Sequence, residues 1–346
     1  MACTTQPFGT TSAGLSATLY TLKNASGMTV SLTDLGACMV SLRVPDGHGA
    51  FPDVLLGYDG AAGYEVNKGN HGAVVGRSAN RIAGASFEID GVTHKLTATQ
   101  FGNNLHSGPD MWFRRLWKVL EAAEDRVTFE LVSPDGDQGY PGEVTCQVTY
   151  TLTDNAIDIA YRAESDQRTV INLTNHAYFN LNGHAAGNVL DHELTIYAQT
   201  WTPSDEESIP TGEIASVAGT DMDFTTPHAL GERIDSSYEP IARCHGYDHN
   251  YVIDGEGYRH AAHLFSPETG ISMDVYTDAP GMQLYTSNGL KAPRGKDGAR
   301  YGMHDAVCLE TQFYPDAIHK PDWPQPVFGP GAPYNSRTTY AFRTNG

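Results

Sequence analysis

The sequence has few basic residues: 22 lysines and arginines stand against 41 aspartates and glutamates, which gives a net charge of −19. A chain of this charge repels nucleic-acid backbones and anionic lipid, so neither nucleic acid nor a membrane is expected as a partner. Charged residues make up only 18% of the chain, whereas it contains 36 glycines and 19 prolines. This composition favours short strands and tight turns over long surface helices.

Cysteine is also scarce, and its spacing forms no motif. No C-x-x-C pair occurs, so neither a disulfide framework nor a cysteine zinc site is predicted, and a reducing cytoplasm is the expected location. The first 24 residues lack a basic start and an apolar segment, and no run of 18 apolar residues follows, so neither export nor membrane spanning is predicted. The five cysteines are Cys3, Cys38, Cys146, Cys244 and Cys308.

Several common catalytic signatures are missing from the chain. It contains no G-x-S-x-G, no G-x-x-x-x-G-K-[ST] and no H-E-x-x-H, and its glycine-rich stretches "GHGAFP", "GEGYRH" and "GPGAPY" do not fit G-x-G-x-x-G. Nucleophile-elbow hydrolases, nucleotide-binding proteins and zincins are therefore disfavoured. Acid–base chemistry remains as the class to search for.

The clearest structural pattern is "VTCQVTYTL" (144–152), in which apolar and polar residues alternate without a break. Such a period of two predicts a half-buried strand. Shorter alternating runs lie on either side, at 127–131 and 157–161, and the segments between them are rich in turn residues. Together the three runs predict an antiparallel meander.

Turn signals elsewhere extend the all-β prediction. In "SFEIDGVTHKL" (86–96) the dipeptide Asp90-Gly91 predicts a hairpin with a type I′ turn. Only "LGERIDSSYEPIA" (230–242) suggests a turn or two of helix. No linker, repeat or composition shift divides the chain, so we expect one sheet-on-sheet domain over residues 1–346.

Polar and aromatic residues cluster between the predicted strands. Amide, imidazole, carboxylate and guanidinium groups stand there beside tyrosine, phenylalanine or leucine. A sugar site uses this mixture, because polar groups bind hydroxyls and an aromatic face covers the C–H side. The clusters are "GRSANRIAG" (76–84), "NNLHSG" (103–108), "TNHAYFNLNG" (174–183), "HGYDHNYVID" (245–254), "GMQLYTSNG" (281–289) and "CLETQFYPD" (308–316).

His176 and Glu310 are the best candidates for acid–base catalysis. A histidine can donate a proton near neutral pH, and a carboxylate can accept one. Glu310 follows the apolar "AVCL", which favours a partly buried position at a strand end. Taken singly, each residue also fits a structural role: His176 as a hydrogen-bonded turn histidine, and Glu310 as a solvated edge or ion-paired residue.

Other polar residues in these clusters have equally plain interpretations when taken one at a time. His106 fits a turn cap, Arg81 a surface ion pair and Asp248 an ordinary turn residue. His245, Asp248 and His249 invite a metal site, but no supporting ligand pattern accompanies them, and we expect no metal. The basic loop 291–300 invites a phosphate, although a solvated loop is the favoured interpretation.

Taken together and in order, these segments resemble the aldose 1-epimerase (galactose mutarotase) family. The blocks "GRSANRIAGASFEIDG", "NNLHSG", "NHAYFNLNG", "YDHNYVID", "GMQLYTSNGL" and "CLETQFYPDA" carry the resemblance, which spans nearly the whole chain. It implies a large twisted antiparallel β-sandwich, the supersandwich of the galactose mutarotases, with few short helices. It also implies interconversion of the α and β anomers of free aldohexoses such as galactose and glucose, without a cofactor.

The resemblance also implies roles for individual residues. His176 matches the general acid and Glu310 the general base that open the sugar ring. The residues implied in substrate binding are Asn80, Arg81, His106, Tyr178, Asp248 and Gln283.

Three alternatives remain open at this stage. A non-catalytic sugar-binding module would use the same polar and aromatic clusters. A glycoside-active enzyme would use Asp248 and Glu310 as a carboxylate pair. A sugar-phosphate epimerase is disfavoured by the acidic charge and by the lack of a basic cluster among the cleft motifs. The expected partner is a small aldose, and the chain is expected to be a monomer or a homodimer.

Overall fold

The computed structural model describes residues 2–66 and 69–344. Its two α-helices are short, α1 (Ala61–Glu65) and α2 (Glu239–Cys244), and the rest of the regular structure is mainly strands. The strands are β1 (Ala2–Thr10), β2 (Ser16–Lys23), β3 (Thr29–Thr33), β4 (Cys38–Arg43), β5 (Val74–Val75), β6 (Arg81–Ile82), β7 (Ser86–Ile89), β8 (Val92–Lys95), β9 (Asn104–Leu105), β10 (Lys118–Ala122), β11 (Arg126–Ser133), β12 (Val144–Leu152), β13 (Ala156–Ser165), β14 (Thr169–Val170), β15 (Thr174–Asn175), β16 (Glu193–Ile196), β17 (Thr200–Trp201), β18 (Ala215–Ser216), β19 (His228–Ala229), β20 (Asp248–Val252), β21 (Arg259–Phe265), β22 (Ile271–Thr277), β23 (Gly281–Tyr285), β24 (Cys308–Gln312), β25 (Val327–Phe328) and β26 (Tyr334–Thr344).

Three larger sheets form the body of the fold, and their named strands pair antiparallel. A four-stranded sheet has the order β1-β2-β3-β4, and a nine-stranded sheet the order β10-β11-β12-β13-β26-β22-β21-β16-β19. A five-stranded sheet has the order β18-β17-β20-β23-β24. Four two-stranded pairs complete the described part: β5 with β15, β6 with β9, β7 with β8, and β14 with β25.

The predicted meander is confirmed. Strands β11, β12 and β13 are consecutive antiparallel neighbours, and β12 has the bounds that its alternating sequence predicts. Its apolar residues are buried and the residues between them are half-buried, as a period of two requires. The buried Tyr150 hydroxyl donates a hydrogen bond to the Ala37 carbonyl oxygen at 2.6 Å, which ties the meander to the loop before β4.

The hairpin at 86–95 is also confirmed. Its two central residues, Asp90 and Gly91, have φ of 53° and 77°, which is the left-handed pair that a type I′ turn needs. The segment 230–242 contains a 3₁₀ turn at Leu230–Glu232 and the first residues of α2, so its predicted helical turns are present.

One large buried cluster draws residues from all three sheets, for example Val30 from β3, Val148 from β12 and Leu309 from β24. The all-β sandwich is therefore confirmed, with very little helix. The shared core favours one domain, although the single-domain assignment stays a prediction. No helix among the described residues is long and apolar enough to cross a membrane.

The interpretation of 291–300 as a solvated loop is wrong for Lys296. Its side chain is buried, pairs with the Asp53 carboxylate at 2.6 Å, and donates hydrogen bonds to the carbonyl oxygens of Val40 and Leu55, both at 2.8 Å. Burial lowers the pKa of Lys296, and Asp53 opposes that shift. The loop is fastened to the core by this ammonium group, while Lys291 in the same loop is exposed.

We predict that Lys296→Met lowers the unfolding free energy by about 3 to 5 kcal/mol, because it leaves the buried Asp53 carboxylate without its cation. The matched control is Lys291→Met, for which we expect a change within about 0.5 kcal/mol. Urea unfolding at neutral pH measures both. Equal losses in the two variants would contradict the assignment of Lys296 as the loop's anchor.

Candidate active site

A large cavity of about 1130 Å³ brings seven of the eight predicted site residues together. Its described wall includes the middle of β24, the ends of other short strands and the loops beside them. Segments within 58–66, 69–71 and 289–295 also contribute to the wall. The predicted residues that line it are Asn80, Arg81, His106, His176, Tyr178, Asp248 and Glu310.

His176 follows β15 directly, and its backbone is held on both sides. Its N–H donates to the Ala73 carbonyl at 2.9 Å, and its own carbonyl accepts from the Gly72 N–H at 2.8 Å. The preceding Asn175 donates from Nδ2 to the Gly72 carbonyl at 2.9 Å and to the Tyr150 hydroxyl at 3.1 Å. The asparagine therefore fixes the backbone that carries the imidazole.

Glu310 occupies the middle of β24, opposite Gln283 on β23. Both residues are 3% exposed, so the carboxyl is surrounded by protein except where it meets the cavity. Because alternate residues of a strand share a face, Cys308 and Gln312 flank Glu310 on the same side of the sheet. A strand interior gives the carboxyl a rigid support.

The imidazole of His176 faces the carboxyl of Glu310, with 3.6 Å between Nε2 and Oε1. Burial lowers the pKa of His176 to about 4, and the negative charge of Asp248 partly offsets this shift. Burial also raises the pKa of Glu310 well above its usual range, and Asp248 adds to that rise while Arg81 opposes it. The two groups are thus a neighbouring acid and base whose charged forms are both disfavoured by burial.

Asn80 and His106 are joined by two reciprocal hydrogen bonds. The Asn80 N–H donates to His106 Nδ1 at 3.1 Å, and the His106 N–H donates to the Asn80 carbonyl at 2.9 Å. Burial keeps the pKa of His106 well below its usual range, so the ring is neutral. Since Nδ1 accepts a hydrogen bond, the proton of the neutral ring lies on Nε2, which makes this atom a donor.

Arg81 and Asp248 form a loose pair on the wall, with 3.8 Å between Nη2 and Oδ2. Arg81 Nε donates to Gln100 Oε1 at 2.8 Å, which fixes the plane of the guanidinium group. Gln283 does not line the cavity in the described structure. Its Nε2 donates a hydrogen bond to Oδ1 of the wall residue Asp248 at 2.6 Å. Its contribution to the site therefore passes through Asp248.

Tyr178 stacks on His176 with ring centroids 5.0 Å apart and an angle of 9° between the rings. On its other side it stacks on His71, with centroids 4.3 Å apart. His176 also meets the edge of Tyr285 at 6.2 Å and that of His106 at 5.6 Å. The predicted aromatic neighbour of the histidine is present as a parallel stack.

His71, Gln100 and Tyr285 are among the wall residues that were not predicted. His71 lies in the stretch Gly69-Asn70-His71-Gly72, shortly before the block 76–84, which is a usable signal, and Tyr285 belongs to a block already quoted. Gln100 follows no pattern that would reveal it. Among the described residues, no group of three histidine, cysteine, aspartate or glutamate side chains is placed to hold a metal ion.

The metal site considered at 245–249 is not assembled. Asp248 and His249 are neighbours on β20 and so point to opposite faces, and the His249 ring packs against the indole of Trp201 at 5.5 Å. His249 Nδ1 accepts a hydrogen bond from the Asp248 N–H at 3.0 Å.

Comparison with known proteins agrees with this geometry. A family model described as aldose 1-epimerase matches residues 18–341. A galactose mutarotase from Bos taurus is 41% identical over 315 residues, which cover 90% of each chain. An aldose 1-epimerase from Escherichia coli (strain K12) is 38% identical over 329 residues, which cover 94% of each chain.

A solved structure supports the same relation. The aldose epimerase homologue from C. elegans superposes with a TM-score of 0.89 at 31% identity, over 95% of this chain and 99% of that one. The match therefore extends over the fold as well as the sequence. This chain belongs to the aldose 1-epimerase family.

Proposed function

We propose that His176 and Glu310 carry out the interconversion of aldose anomers in this protein, by opening and reclosing the sugar ring between them. The interconversion itself follows from membership of the family, whose relatives are isomerases. The observation that supports the two roles is the approach of His176 Nε2 to Glu310 Oε1, 3.6 Å apart on the wall of the cavity.

This distance suits the chemistry. The ring oxygen and the C1 hydroxyl of a cyclic aldose are bonded to the same carbon, so the acid and the base that serve them must be close neighbours. The reactive form of the pair has its single proton on His176, a form that burial makes the minor one. In that form Glu310 removes the proton of the C1 hydroxyl while His176 donates to the ring oxygen, and the bond between C1 and that oxygen breaks. Rotation about C1–C2 presents the other face of the aldehyde, and the two groups exchange roles as the ring closes.

The other wall residues bind and orient the sugar in this proposal. His106 Nε2–H and the Arg81 guanidinium group are donors for the ring oxygen or for hydroxyl groups, and they stabilise negative charge as it develops. Asp248 accepts from hydroxyl groups, with Gln283 holding it in place. Tyr178 keeps the His176 ring in one plane, so that its proton is directed at the cavity.

We further propose that the protein works in the cytoplasm as a monomer or a homodimer. The five cysteines are free thiols in the structure, which suits a reducing compartment. The net charge of −19 favours a small neutral aldose over nucleic acid or anionic lipid as the partner.

We predict that Glu310→Gln and His176→Asn each lower kcat for mutarotation by about 10²- to 10⁴-fold, because each removes one of the two proton-transfer groups. Such a loss corresponds to about 3 to 5 kcal/mol of barrier. Polarimetry on freshly dissolved α-D-galactose and α-D-glucose measures it and also ranks the two sugars as substrates.

The matched controls are Glu88→Gln and His94→Asn, which make the same changes on the hairpin β7–β8, away from the cavity. Both should relax the sugar as fast as the unaltered protein does. Retention of near-normal rates in a folded Glu310→Gln or His176→Asn variant would refute the assigned roles. Release of new reducing ends from a disaccharide would favour a glycoside-active enzyme instead.

We predict a bell-shaped dependence of kcat/KM on pH. Below the lower apparent pKa both groups are protonated and the site lacks a base, whereas above the upper one both have lost their protons and it lacks an acid. Since burial lowers the pKa of His176 to about 4 and raises that of Glu310, we expect one limb near pH 4 and the other well above the usual range of a glutamate. Both values belong to the coupled pair.

Initial polarimetric rates across the pH range, with circular dichroism to verify folding at each point, measure this profile. A kcat/KM that follows only one ionisation would contradict a mechanism that uses one acid and one base.

A further inference from the structure

A row of buried amide side chains lies beside Glu310 on the sheet face that carries it. Asn250 on β20 pairs with Gln283 on β23, which pairs with Glu310 on β24. Residues directly opposite one another across strands share a face, so these three side chains are adjacent. Gln312 follows two positions after Glu310 and therefore joins them on the same face.

These four side chains are nearly inaccessible and incompletely hydrogen-bonded. Their exposures are 2% for Asn250, 3% for Gln283, 3% for Glu310 and 0% for Gln312. Within the protein, no partner is found for Glu310 Oε2, Gln283 Oε1, Asn250 Oδ1 or either amide atom of Gln312. A buried polar atom without a partner costs about 1 to 3 kcal/mol, so the row is unfavourable for stability if protein atoms alone surround it.

The local backbone makes room for the row. Gly281 is the residue opposite Gln312, and a Cβ added to it would approach Asn250 Oδ1 to 2.6 Å and the Tyr314 ring to 2.7 Å. The glycine thus lets the Asn250 amide lie over β23, next to the strand that carries Gln312 and Glu310. Asn250 is held there by a hydrogen bond from its Nδ2 to Thr202 Oγ1 at 3.2 Å.

The unpartnered atoms have a distinctive chemistry, because four of the five are oxygens. Only Gln312 Nε2 is a donor, so the row as a whole lacks hydrogen-bond donors. A water molecule supplies two donors, and buried water typically makes about three hydrogen bonds to groups of this kind. A donor directed at a carboxylate oxygen stabilises the ionised form of that group.

We propose that Gln312, Asn250 and Gln283 hold an ordered water molecule against Glu310 Oε2, and that this water makes Glu310 a stronger acid than its burial alone would allow. Gln312 and Asn250 are then positioning residues that act on the base through the bound water. The catalytic consequence rests on the proposed role of Glu310, whereas the binding of water does not.

The Gln312→Leu substitution leaves the other charged and titratable groups around Glu310 chemically unaltered. They face it from the cavity wall, from β23 and β24, and from the neighbouring nine-stranded sheet. The groups are His176, Asp248, Arg81, the phenols of Tyr178, Tyr285 and Tyr340, and the Cys308 thiol.

The first test is a high-resolution crystal structure of the unaltered protein. We expect a water within hydrogen-bond distance of both the Gln312 amide and Glu310 Oε2. A row whose side chains bond only to one another, with no water among them, would overturn the proposal.

The second test is Gln312→Leu, which keeps the approximate size of the side chain and removes its polar atoms. We expect the Glu310 carboxyl to bind its proton about tenfold more tightly, which is one pH unit in its titration. Infrared difference spectra follow the carboxyl band, which is identified by its loss in Glu310→Gln. The alkaline limb of the mutarotation profile should move by the same amount.

The titration, compared between two variants that both lose stability, separates this role from a purely structural one. Because Gln312→Leu removes the amide that holds the water and leaves the other buried oxygens short of a donor, its unfolding free energy should fall. The matched control is Thr311→Val, on the opposite face, where the Thr311 hydroxyl bonds to that of Thr338 at 2.5 Å. That variant should lose stability and leave the Glu310 titration unchanged.

An unshifted titration in Gln312→Leu would overturn the proposal. The infrared titration reads the carboxyl itself, so it decides this point even if the unaltered protein fails to accelerate mutarotation. If the unaltered protein does not accelerate mutarotation, the proposed function of the site is refuted. The first test then decides whether the water is bound.

Discussion

Burial of the acid–base pair is the constraint on which the site depends. His176 and Glu310 are 5% and 3% exposed, and removal from water disfavours the charge of each. Burial therefore favours neutral His176 and protonated Glu310, and the form with the proton on His176 is the minor one in the empty site. The same burial requires strong supports, and these are the strand interior of β24 and the two backbone hydrogen bonds of His176.

The backbones that carry His176 and Glu310 are firmly held, but the polar side chains of the cavity wall are not in close contact with one another. The separation of 3.6 Å within the pair and that of 3.8 Å between Arg81 and Asp248 are both longer than a good hydrogen bond. Polar groups held apart in this way retain unused donors and acceptors. A sugar carries a hydroxyl on nearly every carbon and can form hydrogen bonds with several of these groups at once. In the proposed function, sugar binding uses the donors and acceptors that make no close hydrogen bond in the empty protein.

The sequence predicted the strands well where one face is buried, because alternation then records burial directly, as in β12. Its assignment of site residues rests on several dissimilar blocks that resemble one family in order and stays a prediction; the structure places seven of the eight residues on the wall of one cavity. The sequence could not place Lys296, because a lysine in a glycine-rich basic loop has the same local pattern whether it is solvated or buried. Gln100 was missed for a similar reason, because its hydrogen bond from Arg81 Nε is not recorded in the local sequence. The proposed role of Gln312 likewise depends on side chains from β20 and β23.

The backbone around Asn80 and His106 shows why local sequence falls short at such sites. Both residues have positive φ, 58° and 51°, a conformation that is unfavourable for a histidine more than for an asparagine. Their reciprocal hydrogen bonds stabilise these conformations, and the bond to His106 Nδ1 also fixes the tautomer that directs a donor at the cavity. Strain of this kind is retained where it positions a functional group, so the left-handed conformation of His106 is an argument for its role in binding sugar.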